Sequence, residues 1–151
     1  MDVLTLLKKD HTLVKGLFKE VEALGDRATS SRKSLFQEID RELSLHAEVE
    51  EKIFYPAFKK RAKKSDEKDE VLEAYEEHAL VKTLMGELET LDPKDETYKA
   101  KLQVLSELVL HHAKEEESEM FKMAREMFDK EELEDLGEQV AAAKERALAP
   151  A

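Results

Sequence analysis

The chain has no cysteine, and among its 151 residues only four are glycine and three are proline. Without cysteine there are no disulfides, no thiolate metal ligands and no thiol chemistry. Scarce glycine and proline, with almost no β-branched runs, point to helices with solvated outer faces. No apolar run approaches the roughly 20 residues that a membrane span needs. The opening segment Met1–Asp10 has neither a long apolar stretch nor a cleavage-like site, so a cytoplasmic protein without a membrane partner is expected. Basic charge is also in deficit. Against 36 Asp and Glu stand 25 Lys and Arg, a net charge of −11 that disfavours polyanionic partners such as nucleic acid.

What the chain does have is helical periodicity, at a length that makes one domain with a substantial apolar core. Leu4, Leu7, His11, Val14, Phe18 and Val21 step by three or four residues, the spacing of one helix face. Phe36, Ile39, Leu43, His46, Glu50, Ile53 and Ala57 repeat the pattern. A third seam runs Val71, Ala74, His78, Val81, Met85 and Leu88. The fourth runs Leu102, Leu105, Val109, His112, Glu116, Met120 and Met123. Polar residues interrupt these seams at six places: His11, His46, Glu50, His78, His112 and Glu116.

The breaks between segments are short. Gly25-Asp26 ends the first helix, with Thr29, Ser30 or Ser31 available to cap the second. Lys63–Asp66 is turn-like, and Asp92-Pro93 offers a cap followed by proline at the first helical position. Short connections imply antiparallel neighbours, so the expected fold is all-α, an up-down-up-down four-helix bundle over residues 1–128. Asp129–Glu132 resembles a capping box opening a short fifth helix, with fraying from about Arg146. Residues 129–151 thus form a C-terminal helix and tail. Pro56 falls inside the second helical pattern and predicts a kink or loosening just beyond Glu50.

The two halves are related. His11–Leu24 and His78–Leu91 share eight of fourteen positions at a constant offset of 67. His46-Ala47 and Glu50-Glu51 match His112-Ala113 and Glu116-Glu117 at an offset of 66. Duplication accounts for this, and it implies pseudo-twofold symmetry with each half supplying one equivalent ligand set.

Residues four apart share a helix face, so His46 with Glu50, and His112 with Glu116, can reach one site. In antiparallel hairpins His11 and His78 come to about the same height. Nitrogen and oxygen donors without thiolate suit iron, with manganese or zinc as lesser alternatives. A lone histidine on an apolar stripe is ordinarily a hydrogen-bonded core residue. Six buried ionisable groups in duplicate are costly without a shared partner, which favours metal. His111 has no counterpart in the first half and reads as a flanking residue. Glu51 and Glu117 read as surface acids, and Tyr55 lies well away from His46 on the helical wheel.

The pattern His…His-x-x-x-Glu, given twice, with Leu45–Pro56 around its first copy, resembles the hemerythrin-like HHE cation-binding domains of bacteria over residues 1–128. The resemblance implies two iron ions, oxo- or hydroxo-bridged, held by His11, His46, His78 and His112 with Glu50 and Glu116 as bridges. Oxygen-carrying hemerythrins have His-x-x-x-His on the third helix, whereas here His78 is followed by Lys82. They also place an aspartate five residues after the last helix's histidine, where this chain has Glu117 behind Glu116. The site is thus similar to the four-His, two-Glu subgroup of that family, and this resemblance implies a role in stress responses, nitric oxide or peroxide chemistry, oxygen sensing, or iron sensing or repair. Ferritin-like proteins, the rival fold, carry Glu-x-x-His. The residues three before the five histidines here are Lys8, Leu43, Tyr75, Leu108 and Val109.

The expected partner is dioxygen, peroxide or nitric oxide, with iron handling or metal storage without redox turnover as the alternative. Catalytic turnover and a homodimer through the fifth helix are both left open.

Overall fold

The computed structural model describes residues 1–149 and is helical throughout, with no strand among the described residues. Helix α1 spans Val3–Glu22, and its N-terminus is capped by Asp2, whose carboxylate accepts from the Thr5 amide at 2.8 Å. Helix α2 spans Thr29–Val49, and a π-helical turn, Glu50–Phe54, leads directly into α3, Tyr55–Arg61. Helix α4 spans Ser65–Thr90 and α5 Tyr98–Glu115. A second π-helical turn, Glu116–Met120, continues into α6, Phe121–Met127, and α7 spans Lys130–Leu148. Because each π turn joins two helices into one rod, four rods form the antiparallel bundle and α7 is the added fifth.

Two expected helix starts are displaced. Helix α2 begins after Ala28, which has no side-chain cap. Arg32 instead reaches back to donate to the Gly25 carbonyl at 2.8 Å, so a buried guanidinium closes the first connection. Helix α5 starts at Tyr98, not Pro93. The Asp92 carboxylate accepts from the Lys94 amide and that of Asp95 from the Thr97 amide, making successive Asx turns that use up the segment. The Asp129–Glu132 capping box forms as its sequence implies. Helix α7 stays helical through Leu148, and positions 150–151 lie outside the described residues.

The core has two lobes. One gathers Leu7, Phe54, Tyr55, Phe58, Phe121 and Val140 near the chain termini. The other gathers Val14, Phe18, Ile39, Leu43, Leu105 and Val109 toward the opposite end. His11, His46, Glu50, His78, His112 and Glu116 lie between them. Helix α7 lies across α1 and α2, and Gly137 permits its closest approach: a Cβ there would sit 2.2 Å from the Met1 carbonyl oxygen.

The π turns position the site. Each begins at a seam glutamate and carries an i→i+5 hydrogen bond, Tyr55 N–H to the Glu50 carbonyl and Phe121 N–H to the Glu116 carbonyl. The loosening expected beyond Glu50 is therefore present. Proline is not its cause, because the second copy forms with Lys122 at the matching position.

Candidate metal centre

All six seam residues meet in the bundle core. His46, Glu50, His78, His112 and Glu116 are buried, and the His11 side chain is 9% exposed. They fall into two groups of four that could each hold a cation: His11, His46, Glu50 and Glu116, and His78, His112, Glu50 and Glu116. Both glutamates belong to both groups. Glu50 Oε1 lies 2.9 Å from His46 Nε2 and 3.1 Å from His78 Nε2, one imidazole of each group. Glu116 divides its oxygens, Oε1 at 3.1 Å from His11 Nε2 and Oε2 at 3.3 Å from His112 Nε2. The pseudo-twofold is quantitative, since the His11–His46 and His78–His112 ring pairs both stand 4.9 Å apart at 67°.

Every imidazole is held from behind by a carboxylate. His11 Nδ1 pairs with Glu117 at 2.7 Å and His78 Nδ1 with Glu51 at 2.9 Å. His46 Nδ1 pairs with Asp10 at 2.8 Å and His112 Nδ1 with Glu77 at 2.7 Å. An ionised carboxylate can only accept, so Nδ1 carries the hydrogen, and Nε2 is left facing inward as the atom that can bind a cation once it bears no proton. Such outer carboxylates fix the ring and raise its basicity as a ligand.

Glu51 and Glu117 are therefore not free surface acids. They lie off their own helix's seam, but each faces the neighbouring helix that bears the histidine it holds. Asp10 and Glu77, each one residue before a seam histidine, occupy matching repeat positions and were recognisable by that symmetry. Two of the four have further anchors, Asp10 on Lys144 of α7 and Glu51 on Lys82.

Tyr55 is the residue that wheel geometry misplaces. Its hydroxyl sits 2.5 Å from Glu116 Oε2, 3.1 Å from His78 Nε2, and 3.2 Å from both Glu50 Oε1 and His112 Nε2. A regular helix would bring Phe54, four residues past Glu50, onto the seam. The extra residue of the π turn rotates the chain by about 100° and brings Tyr55 there instead. His111 remains a surface residue, its side chain 71% exposed and 3.3 Å from Glu115.

Electrostatics match a site built for cations. Burial pushes the Glu116 carboxyl upward, but its interactions with Glu50, His11 and His112 prevail and hold it well below the usual range. Burial would depress His46, yet the charge of Glu50, 2.9 Å away, and the hydrogen bond to Asp10 raise it to about 10. Opposing its own burial, His112 is raised to about 11 by hydrogen bonds with Glu116 and Glu77. Burial and then the charges of Glu116 and Glu50 push the Tyr55 phenol well above its ordinary value.

Four buried donor atoms, His11 Nε2, His46 Nε2, Glu50 Oε2 and Glu116 Oε1, have no aligned hydrogen-bond partner. Leaving such atoms unsatisfied in a dry core is costly, so a pair of cations fits this donor set. Beside the imidazoles lies a cavity of about 40 Å³, walled by Val14, Leu43, Val81, Met85 and Val109.

A cluster of histidines and glutamates that could hold metal, inside a four-helix bundle, is the class that this architecture defines. The family model described as the hemerythrin HHE cation binding domain matches residues 2–124. The chain belongs to that family. It resembles a DNA nickase of a Nostoc species at 27% identity over 146 residues, 97% of this chain but 40% of the nickase. An uncharacterized protein of Mycobacterium tuberculosis is 28% identical over 145 residues, 94% of this chain and 84% of its own length. The crystal structure of a hemerythrin HHE cation binding domain-containing protein from Mycobacterium kansasii superposes with a TM-score of 0.81 at 26% identity. That match covers 97% of this chain and 86% of the other. No helix among the described residues is long and apolar enough to cross a membrane.

Proposed function

We propose that this chain is a non-haem di-iron protein that binds or reacts with dioxygen, peroxide or nitric oxide. The observation that carries this reading is two imidazole pairs sharing two buried carboxylates, beside a small apolar cavity. In it His11 and His46 would hold one iron and His78 and His112 the other, with Glu50 and Glu116, which belong to both groups, available to each. Nitrogen and oxygen donors without thiolate favour iron, with manganese or zinc as alternatives. Two ferrous ions held as a pair supply two electrons to a bound small molecule.

The chain's own residues hold and shield that pair. Asp10, Glu51, Glu77 and Glu117 keep each imidazole in the tautomer that presents Nε2 inward. Val14, Leu43, Val81, Met85 and Val109 line a largely apolar cavity with room for a diatomic ligand. The DNA-directed role in the Nostoc relative's name is not carried over, because a net charge of −11 disfavours a polyanion.

A second reading, iron handling without redox turnover, draws on an acidic surface. Glu77, which holds His112, lies close to His111 and Glu115, and a further cluster joins Glu70, Glu73 and Glu115. Anaerobic titration of the reduced, iron-loaded protein with each small molecule separates the two. Reactivity predicts a distinct optical change with at least one of them. A flat response to all three, with iron that chelators strip readily, supports the handling role instead.

A further inference from the structure

The fifth helix lies mainly on one half of the repeat and leaves the matching face of the other half open. On the covered side Asp10 stands between His46 Nδ1 and the Lys144 ammonium of α7. Leu45 and Val49 pack beneath the same helix, beside Ala143. The matched positions on the open side are Glu77, His111 and Glu115. Glu77 holds His112 Nδ1 at 2.7 Å as Asp10 holds His46, but among the described residues no lysine or arginine pairs with it. Where the covered side has two apolar contacts, the open side has an imidazole and a carboxylate, with His111 Nε2 3.3 Å from a Glu115 oxygen. That His-x-x-x-Glu pair repeats the spacing of His112 and Glu116, whose contact is also 3.3 Å, one residue round the helix.

We propose that Glu77, His111 and Glu115 form a third cation site, at the surface, whose divalent metal takes the place that the Lys144 ammonium fills in the other half. One donor atom from each of the three residues lies within 4.8 Å of the other two. A surface His–Glu pair by itself stabilises little. Here a second carboxylate joins it from α4, and three protein donors completed by water make an open metal site. Glu77 can serve both neighbours, since a carboxylate has about four lone-pair sites and His112 uses one of them.

The surrounding field favours a cation. Burial and then the charges of Glu115, Glu73, Glu119 and Glu77 raise the neighbouring Glu70 carboxyl to about 7, a sign of negative charge that this surface does not itself neutralise. Nitrogen and oxygen donors without thiolate suit zinc, ferrous iron or manganese. With His111 71% exposed, water fills the rest of the coordination sphere and the metal exchanges readily. The site goes beyond the di-iron reading and does not depend on it.

The test titrates the full chain, already loaded with iron and freed of excess metal, with zinc. Calorimetry should show one further binding event per chain, with the bound iron retained by elemental analysis. His111→Ala and Glu115→Gln should each lose that event with an unchanged helical circular dichroism signal. Glu73→Gln removes an acid of the adjoining cluster but no donor of the triad, and should keep it.

No event in the wild type, or one that survives His111→Ala, overturns the inference and leaves the di-iron reading intact. Equal loss in Glu73→Gln and His111→Ala also overturns it, reducing the site to a diffuse acidic surface. Should the wild type take up no iron, the di-iron reading falls, and the same comparison on the metal-free chain decides this site. Zinc lost with His111→Ala supports it there, and an unchanged zinc count overturns it.

Discussion

Glu51 accepts from the Nδ1 of His78 at 2.9 Å and is itself tied to Lys82, so a surface lysine is linked through one carboxylate to an inward-facing imidazole. Removing the charge while keeping the shape isolates that support. Glu51→Gln, or Asp10→Asn behind His46, should weaken metal affinity by about 10- to 100-fold. Helical content should not change. Competition against a chelator of known affinity measures the effect, and unaltered affinity in both variants would deny the outer carboxylates a role.

Protons compete with cations at this centre. The raised pKa values of His46, about 10, and His112, about 11, mean that in cation-free protein both rings stay protonated at neutral pH. Metal affinity should therefore increase with pH well into the alkaline range. The cation-free protein should behave oppositely. Its stabilisation from these two groups is complete below about 6.5 and lost as pH rises through the folded-state values. Thermal melts of chelator-treated protein should fall from neutral to alkaline pH, and those of loaded protein should fall less.

Glu70 predicts a separate pH effect away from the metal. Burial first, then the charges of Glu115, Glu73, Glu119 and Glu77, raise its carboxyl to about 7. A carboxyl with a raised folded pKa destabilises the fold progressively as pH climbs from its ordinary range through that value. Glu70→Gln should thus add about 1 kcal/mol at alkaline pH, after allowance for solvent screening, and nothing at acid pH. Denaturant midpoints at the two pH values test it.

Gly137 governs the seating of the fifth helix. A methyl group would strike the backbone of Met1, Asp2 and Val3, which cannot yield as a side-chain tip can. Gly137→Ala should cost about 1–3 kcal/mol through overpacking. It should also disturb the bond from Lys144 to Asp10, and with it the hold on His46. Accordingly, metal should exchange faster in this variant although no ligand is altered.

The bundle and the six converging residues were legible because buried seams tolerate few polar interruptions, and because the duplication displayed the same ones twice. The outer carboxylates were half-legible. Asp10 and Glu77 repeat before their histidines, but a wheel drawn for one helix cannot show that Glu51 and Glu117 face the next one. Tyr55 was hidden by the assumption of a uniform 3.6-residue turn, which fails in the π segments beginning at Glu50 and Glu116. Pro93 suggested a helix start that the Asx turns at Asp92 and Asp95 pre-empt. Local capping chemistry outweighed a generic positional preference there.

The most direct measurement is metal identity and stoichiometry on protein purified from iron-supplemented cells, by elemental analysis with an optical spectrum. The account predicts two irons per chain, with both lost together from His46→Ala and His112→Ala combined. Zinc alone, or no metal even after anaerobic ferrous reconstitution, would contradict it and reduce the paired constellation to a scaffold.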